Sequence, residues 1–345
     1  MPSSLPNAVI YGCSGIALTE DEKHFFADAD PAGFILFQRN CRDADQVRAL
    51  VDDLRGCTGR ADAPVLIDQE GGRVQRLQPP HWRDAPAAAG FKTLAAGDRD
   101  LAIEAARLNA QLIAEDLTGL GITVNCAPVL DVPAPGAHDI IGDRAFGDDP
   151  GTVAALGLAT AEGFLSMGVL AVIKHIPGHG RAGADSHHDL PVVDASLADL
   201  EDTDFPPFRA LRHMPWAMTA HVVYSALDEA APATTSAVVI RDVIRGAIGF
   251  DGVLVSDDLS MKALKGTMRD RASAALAAGC DVVLHCCGDM EEMQAVAEGV
   301  GRLSGPAAER LRRGDAMRGQ TPEWDRAAAL GRLTDILKSQ SAGGA

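Results

Sequence analysis

Gly168-Val-Leu-Ala-Val-Ile-Lys-His-Ile-Pro-Gly-His-Gly180 reads as a buried strand that stops abruptly at charge. Five consecutive apolar residues, Val169 to Ile173, leave no polar face, as a parallel strand covered on both sides requires. Lys174 and His175 end the run, and Gly178, Gly180 and Gly183 loosen the loop that follows. Extended to Asp189, this loop carries four of the chain's ten histidines and two carboxylates. Packing alone does not explain that density, so the segment reads as a strand delivering a proton-handling loop.

Seven more apolar runs of the same kind recur along the 345 residues, at Val9 to Cys13, Gly33 to Phe37, Pro64 to Asp68, Thr123 to Pro128, Trp216 to Ala220, Gly252 to Ser256 and Asp281 to His285. Helical patterns lie between them: Asp45 to Arg55, Leu101 to Leu117, Thr152 to Met167, Leu197 to Arg212, Ser236 to Ile248 and Thr267 to Ala278. Ser236 and Thr267 stand where N-caps belong, and Gly56, Gly168 and Gly279 where chains leave helices. Eight strands alternating with helices predict an α/β fold, a (β/α)8 TIM barrel, over a doubly wound open sheet, which usually has fewer strands. The expected organisation is one catalytic domain over residues 1–345, peripheral helices beyond about Glu291, flexible ends at 1–7 and 339–345, and a surface loop from Gln78 to Phe91.

The formal charge of −17 argues against nucleic acid or an anionic membrane as partner, since both would repel such a surface. Seven cysteines without regular spacing read as reduced thiols. With no secretory signal or membrane-spanning run in view, the expectation is a cytoplasmic monomer acting on a small molecule, without cofactor or metal.

Polar residues gather where the predicted strands stop: Asp68, Gln69 and Glu70, then Asp131, Lys174 with His175, His221, and Asp257 with Asp258. In a barrel these ends open on one face, where barrel enzymes keep their chemistry. Asp257 shares strand parity with Val253 and Val255 and Asp258 with Leu254, so alternation allows only one of the two to point into the mouth. Asp68 with Arg76 suits vicinal hydroxyls, which take bidentate hydrogen bonds. Lys174 needs an acceptor, which a sugar hydroxyl would provide. Asp185 beside His187 makes a dyad able to hold and release a proton near neutral pH. His138, His213 and His285 read as structural or solvent-facing. The same loop permits a rival, a metal-dependent barrel hydrolase with ligands among His175, His179, Asp185, His187, His188 and Asp189, although the spacing fits no familiar metal motif. A non-catalytic sugar-binding protein is the rival from another class.

Four segments, Asp68-Gln-Glu-Gly-Gly-Arg-Val-Gln-Arg76, Lys174-His-Ile-Pro-Gly-His-Gly180, Ala184-Asp-Ser-His187 and Val255-Ser-Asp-Asp-Leu-Ser-Met261, together resemble the bacterial β-N-acetylhexosaminidase branch of family 3 glycoside hydrolases. The resemblance spans roughly Gly33 to Gly288 and implies a (β/α)8 barrel in its single-domain form. By position it implies Asp257 as nucleophile, His187 as general acid/base oriented by Asp185, and Asp68, Arg76, Arg144, Lys174 and His175 around a terminal N-acetylglucosamine. Ile176 departs from the family's usual Phe. The resemblance further implies a retaining exo-β-N-acetylglucosaminidase acting on muropeptide fragments in peptidoglycan recycling, with no cofactor. Most retaining glycosidases place two carboxylates about 5–5.5 Å apart, and here an imidazole would replace one of them. A phosphorylase using the same covalent step, with phosphate releasing the sugar, is the alternative.

Overall fold

The computed structural model describes residues 5–184, 186, 189–319 and 323–342. Its centre is a closed barrel of eight parallel strands: Asn7–Gly12, Pro31–Leu36, Val65–Ile67, Val124–Asn125, Leu170–Ile176, Trp216–Thr219, Val253–Asp258 and Val282–His285. Each pairs in parallel with its neighbours in sequence, and the first closes the ring on the eighth through Val9 to Val283 and Ile10 to Leu284. All eight predicted runs are strands, and the predicted (β/α)8 fold is the observed one.

Alternation sorts their side chains into two buried layers. Ile10, Ile35, Leu66, Val172, Met218, Val253, Val255 and Leu284 fill the barrel interior. Val9, Phe34, Ile67, Ile173, Ala217, Leu254 and Val283 face the helical shell. Strands buried on both faces have no polar side to display, which is why their sequences run continuously apolar.

The helices begin where side chains satisfy their free N–H groups. Thr267 caps Met268–Ala278 in a reciprocal box with Asp270, and Asp149 caps Pro150–Ser166 with Pro150 in the first turn. The Ser236 hydroxyl accepts from Val239 N at 3.1 Å, as its position predicted. Ala44–Thr58 runs past Gly56 and ends at Gly59 in the left-handed region. Between Gln78 and Phe91 the expected loop gives way to the helix Ala88–Gly97, rich in helix-forming alanine. The helix Glu20–Ala29 went unpredicted, although Thr19 and Glu22 form its capping box. Asn7 opens the first strand, and Arg326–Ala342 forms the last helix. Among the described residues no helix is long and apolar enough to cross a membrane.

Candidate active site

At the C-terminal end of the strands lies a cavity of about 270 Å³. Asp68, Arg76, Arg144, Lys174, His175 and Asp257, six of the eight residues singled out from the sequence, line it together. Asp185 and His187 lie outside the described residues. Ser186, between them, is buried and lines the cavity.

Strand parity delivers the central groups. Asp68 continues the inward series from Leu66, Lys174 from Leu170 and Val172, and Asp257 from Val253 and Val255. Alternation fails as a strict rule at two points, where the register shifts between Lys174 and Ile176 and between Val255 and Asp258. His175 and Asp258 therefore reach the cavity wall beside Lys174 and Asp257, correcting the expectation that only one aspartate could do so. The two aspartates nevertheless differ. Asp258 is tied into the loop, accepting from Ser260 N at 3.1 Å and from Cys286 N at 3.1 Å. Asp257 accepts from the Asp258 backbone N–H at 2.8 Å.

Burial opposes ionisation of Asp257, but His175, His221 and Lys174 outweigh it, and its pKa falls below the ordinary carboxylate value. This environment favours the charged carboxylate.

One wall is a charge network. Lys174 Nζ lies 2.8 Å from Asp68 Oδ1 and 2.7 Å from Glu70 Oε1. Arg76 reaches Asp68 Oδ2 at 3.0 Å, and Arg144 holds both Glu70 oxygens at 2.9 and 2.8 Å. Burial works against the charge of Glu70, yet Arg144 and Lys174 draw its pKa down to about 2. Burial likewise opposes Asp68 before Lys174 and Arg76 pull it well below its usual range. The acceptor that Lys174 required is thus supplied by protein carboxylates, so the lysine is fixed before any ligand arrives. Glu70 was visible in the sequence but not singled out, because its pairing with Arg144 joins residues 74 positions apart.

The opposite support is Asp131, fully buried beyond the fourth strand. Its Oδ1 accepts from His175 N at 3.1 Å and His179 N at 2.7 Å, and its Oδ2 lies 2.7 Å from His175 Nδ1. Burial disfavours the charge here too, but His175 outweighs it and the pKa falls to about 2. The bond to Nδ1 fixes the His175 ring and leaves Nε2 for a ligand. Burial first, then His175, push His179 down to about 4, so it is neutral at pH 7. His221 is held between Thr234 Oγ1 at 2.7 Å and the Asp258 carbonyl at 3.0 Å. Of the rival metal-ligand set, His175 and His179 both engage Asp131, and Asp189 is exposed. Ile176, at the family's usual Phe position, is fully buried among residues facing the helices, away from the cavity.

Phe37 also lines the cavity, and the guanidinium groups of Arg39 and Arg76 each lie over its ring, 5.0 Å from its centroid.

Residues 8–312 match the family described as glycosyl hydrolase family 3 N terminal domain. Beta-hexosaminidase of Bordetella avium (strain 197N) is 38% identical over 353 residues, covering 99% of this chain and 97% of that protein. Beta-hexosaminidase of Chromobacterium violaceum is 39% identical, covering 97% of this chain and 92% of that one. The crystal structure of native NagZ from Neisseria gonorrhoeae superposes with a TM-score of 0.82 at 31% identity, covering 99% and 98% of the two chains. A second crystal structure of that protein, in complex with N-trifluoroacetyl-D-glucosamine, gives a TM-score of 0.85 at 30% identity, covering 98% and 99%.

Proposed function

This chain belongs to glycosyl hydrolase family 3 and is a β-hexosaminidase, and we propose that it is a retaining exo-β-N-acetylglucosaminidase with Asp257 as nucleophile. In the first step Asp257 attacks the anomeric carbon while protonated His187, oriented by Asp185, gives its proton to the departing oxygen. In the second, neutral His187 takes a proton from water, which releases the sugar from Asp257. An imidazole with an ordinary pKa of about 6.5 serves both steps near neutral pH without the strong upward shift a glutamic acid would need.

The observation that carries this reading is Asp257 lining a cavity walled by paired cations and carboxylates, where His175, His221 and Lys174 favour its charged form. Asp68, Arg76, Arg144, Lys174 and His175 are the groups we assign to the hydroxyls of the terminal sugar, because their mutual ion pairs hold them rigid in advance. Ser186 at the cavity wall supports assigning the acid/base to its sequence neighbour His187. The related Neisseria protein holds a glucosamine derivative, which fits the same substrate class. By the resemblance of the four motifs, the aglycone side is that of muropeptide fragments from peptidoglycan recycling, handled by a monomer in the cytoplasm.

The decisive experiment is mass spectrometry of the peptide labelled by a fluorosugar inactivator. The expected adduct sits on Asp257, and Asp257→Ala abolishes both labelling and turnover of an aryl β-N-acetylglucosaminide. A label on another residue, or near-normal turnover in the variant, would remove Asp257 from the chemistry.

A further inference from the structure

Beside the barrel mouth, but outside the cavity, three donors from the end of the eighth strand, the connection after it and the helix that follows converge on one point. His285 Nε2 lies 3.0 Å from Glu292 Oε2, Cys287 Sγ lies 3.4 Å from that same nitrogen, and Sγ is 3.2 Å from Glu292 Oε2. A relay of nucleophile, base and carboxylate would use opposite nitrogens of the imidazole. Here thiol and carboxylate meet on one nitrogen, so the three atoms form a closed triangle and not a chain. We propose that His285, Cys287 and Glu292 bind a zinc ion, with the fourth position open to solvent.

The dimensions fit. Zinc bonds of about 2.0–2.3 Å at tetrahedral angles separate neighbouring donors by roughly 3.3–3.6 Å, so the triangle needs to widen only by tenths of an ångström. One thiolate, one imidazole and one carboxylate neutralise a divalent ion, and the sulfur and nitrogen select zinc over calcium or magnesium. Binding exchanges the thiol proton for the ion and releases that proton to solvent.

The surroundings prepare the same outcome. His285 is fully buried, with the Tyr11 ring edge-on at 6.2 Å, so its ring is held in place. Its Nδ1 meets no protein partner among the described residues, and its tautomer therefore follows whatever Nε2 meets. Burial pushes the Cys287 thiol up to about 12, Glu292 adds to the rise and the Asp289 backbone N–H, 3.3 Å from Sγ, only partly opposes it, so without an ion the sulfur is a thiol that donates to Glu292, and the ion must displace its proton. Asp289 also caps Met290–Gly299, accepting from Glu292 N at 3.0 Å and fixing the carboxylate's position in the first turn. Cys287 is exposed, which gives the ion a way in and water a place on it.

The consequence reaches the cavity through Cys286, which lines it and donates its backbone N–H to Asp258 Oδ1. An ion held by the residues on either side of Cys286 would clamp that wall to the helix behind it.

Titration of the chelator-treated full-length protein with Co²⁺ as an optical probe tests this, followed by competition with Zn²⁺. One equivalent should bind with a thiolate-to-metal charge-transfer band that zinc displaces. Cys287→Ser should lose the band and weaken binding by more than the roughly 10–100-fold that loss of an outer-sphere partner costs. Glu292→Gln, an isosteric change at a partly exposed position, should keep the band with weakened affinity. Zinc should raise the melting temperature of the wild type but not of Cys287→Ser. Absence of the band in the wild type, or equal affinity in wild type and Cys287→Ser, would overturn the proposal.

Discussion

Asp131 does more for the site than its distance from the reacting centre suggests, because its two oxygens gather a backbone N–H and a ring nitrogen of His175 and the backbone N–H of His179. Its pKa is drawn from 3.8 to about 2, and a carboxylate depressed in the fold stabilises it fully above the ordinary value. That contribution is lost as pH falls from 3.8 through about 2, and at about 1.4 kcal/mol per unit it amounts to roughly 2 kcal/mol. Asp131→Asn should therefore be less stable than wild type at pH 7 by roughly 2 kcal/mol. It should also lose less stability on acidification through that interval. Urea melts of both proteins at neutral and acid pH check this, and equal pH dependence would contradict it. The sequence displayed Asp131 at a strand end but gave no sign of what it holds, since His175 lies 44 positions away. Asp257, Asp68 and Lys174 were legible as polar residues standing where apolar runs stop, and resemblance, not alternation, chose Asp257 over Asp258. His175 was assigned to the sugar by resemblance, and its entry into the cavity goes with a register shift beyond Lys174 that no pattern of residue types announces.

The elements that mattered most were read from the sequence, and the connections between them were not. Continuous apolar runs survive as strands because a barrel strand has no wet face, so the signal does not depend on which neighbour it meets. The helix Glu20–Ala29 was missed although its capping box was readable, because its apolar face is narrow: Phe26 and Ala29 are its buried apolar residues. Nor was it legible that the loops after the fourth and fifth strands join edge to edge. Leu130 N donates to Lys174 O at 2.7 Å, Lys174 N to Pro128 O at 3.1 Å, Ala134 N to Gly180 O at 3.0 Å and His138 N to Ala182 O at 2.9 Å. This seam holds Asp131 against the two histidines. It closes because Gly180 presses its bare Cα on Val132, where a β-carbon would overlap the carbonyl. Gly180→Ala should cost about 1–3 kcal/mol by overpacking. Its kcat/KM should fall several-fold further than the loss of folded protein explains, as the seam shifts His175. Melting curves and steady-state kinetics together decide; a variant with a normal melt and normal kinetics would show that the seam does not set the site.

On the scale of the whole molecule, the −17 formal charge sets what can approach the mouth. Lys174, Arg73, Arg76 and Arg144 place four cations at the cavity, but Asp68, Glu70 and Asp143 pair with them and Asp257 and Asp258 add two more acids. The cavity therefore does not focus a strong positive potential to offset the acidic surface, and an anionic ligand meets net repulsion on the way in. Exposed charges are screened over about 10 Å at 0.1 M salt, so the repulsion weakens as ionic strength rises. For a substrate carrying carboxylates, such as a muropeptide fragment, kcat/KM should climb with added salt before levelling off. For a neutral aryl N-acetylglucosaminide it should stay nearly flat, because the same cavity is entered without a field to cross. Measuring both substrates across one salt series separates long-range repulsion from any direct effect of salt on the ion pairs, which would move the two together. A fall in kcat/KM with salt for the acidic substrate alone would mean that the rim cations Arg39, Arg73 and Arg76 steer it, and that their local field outweighs the net charge of the chain.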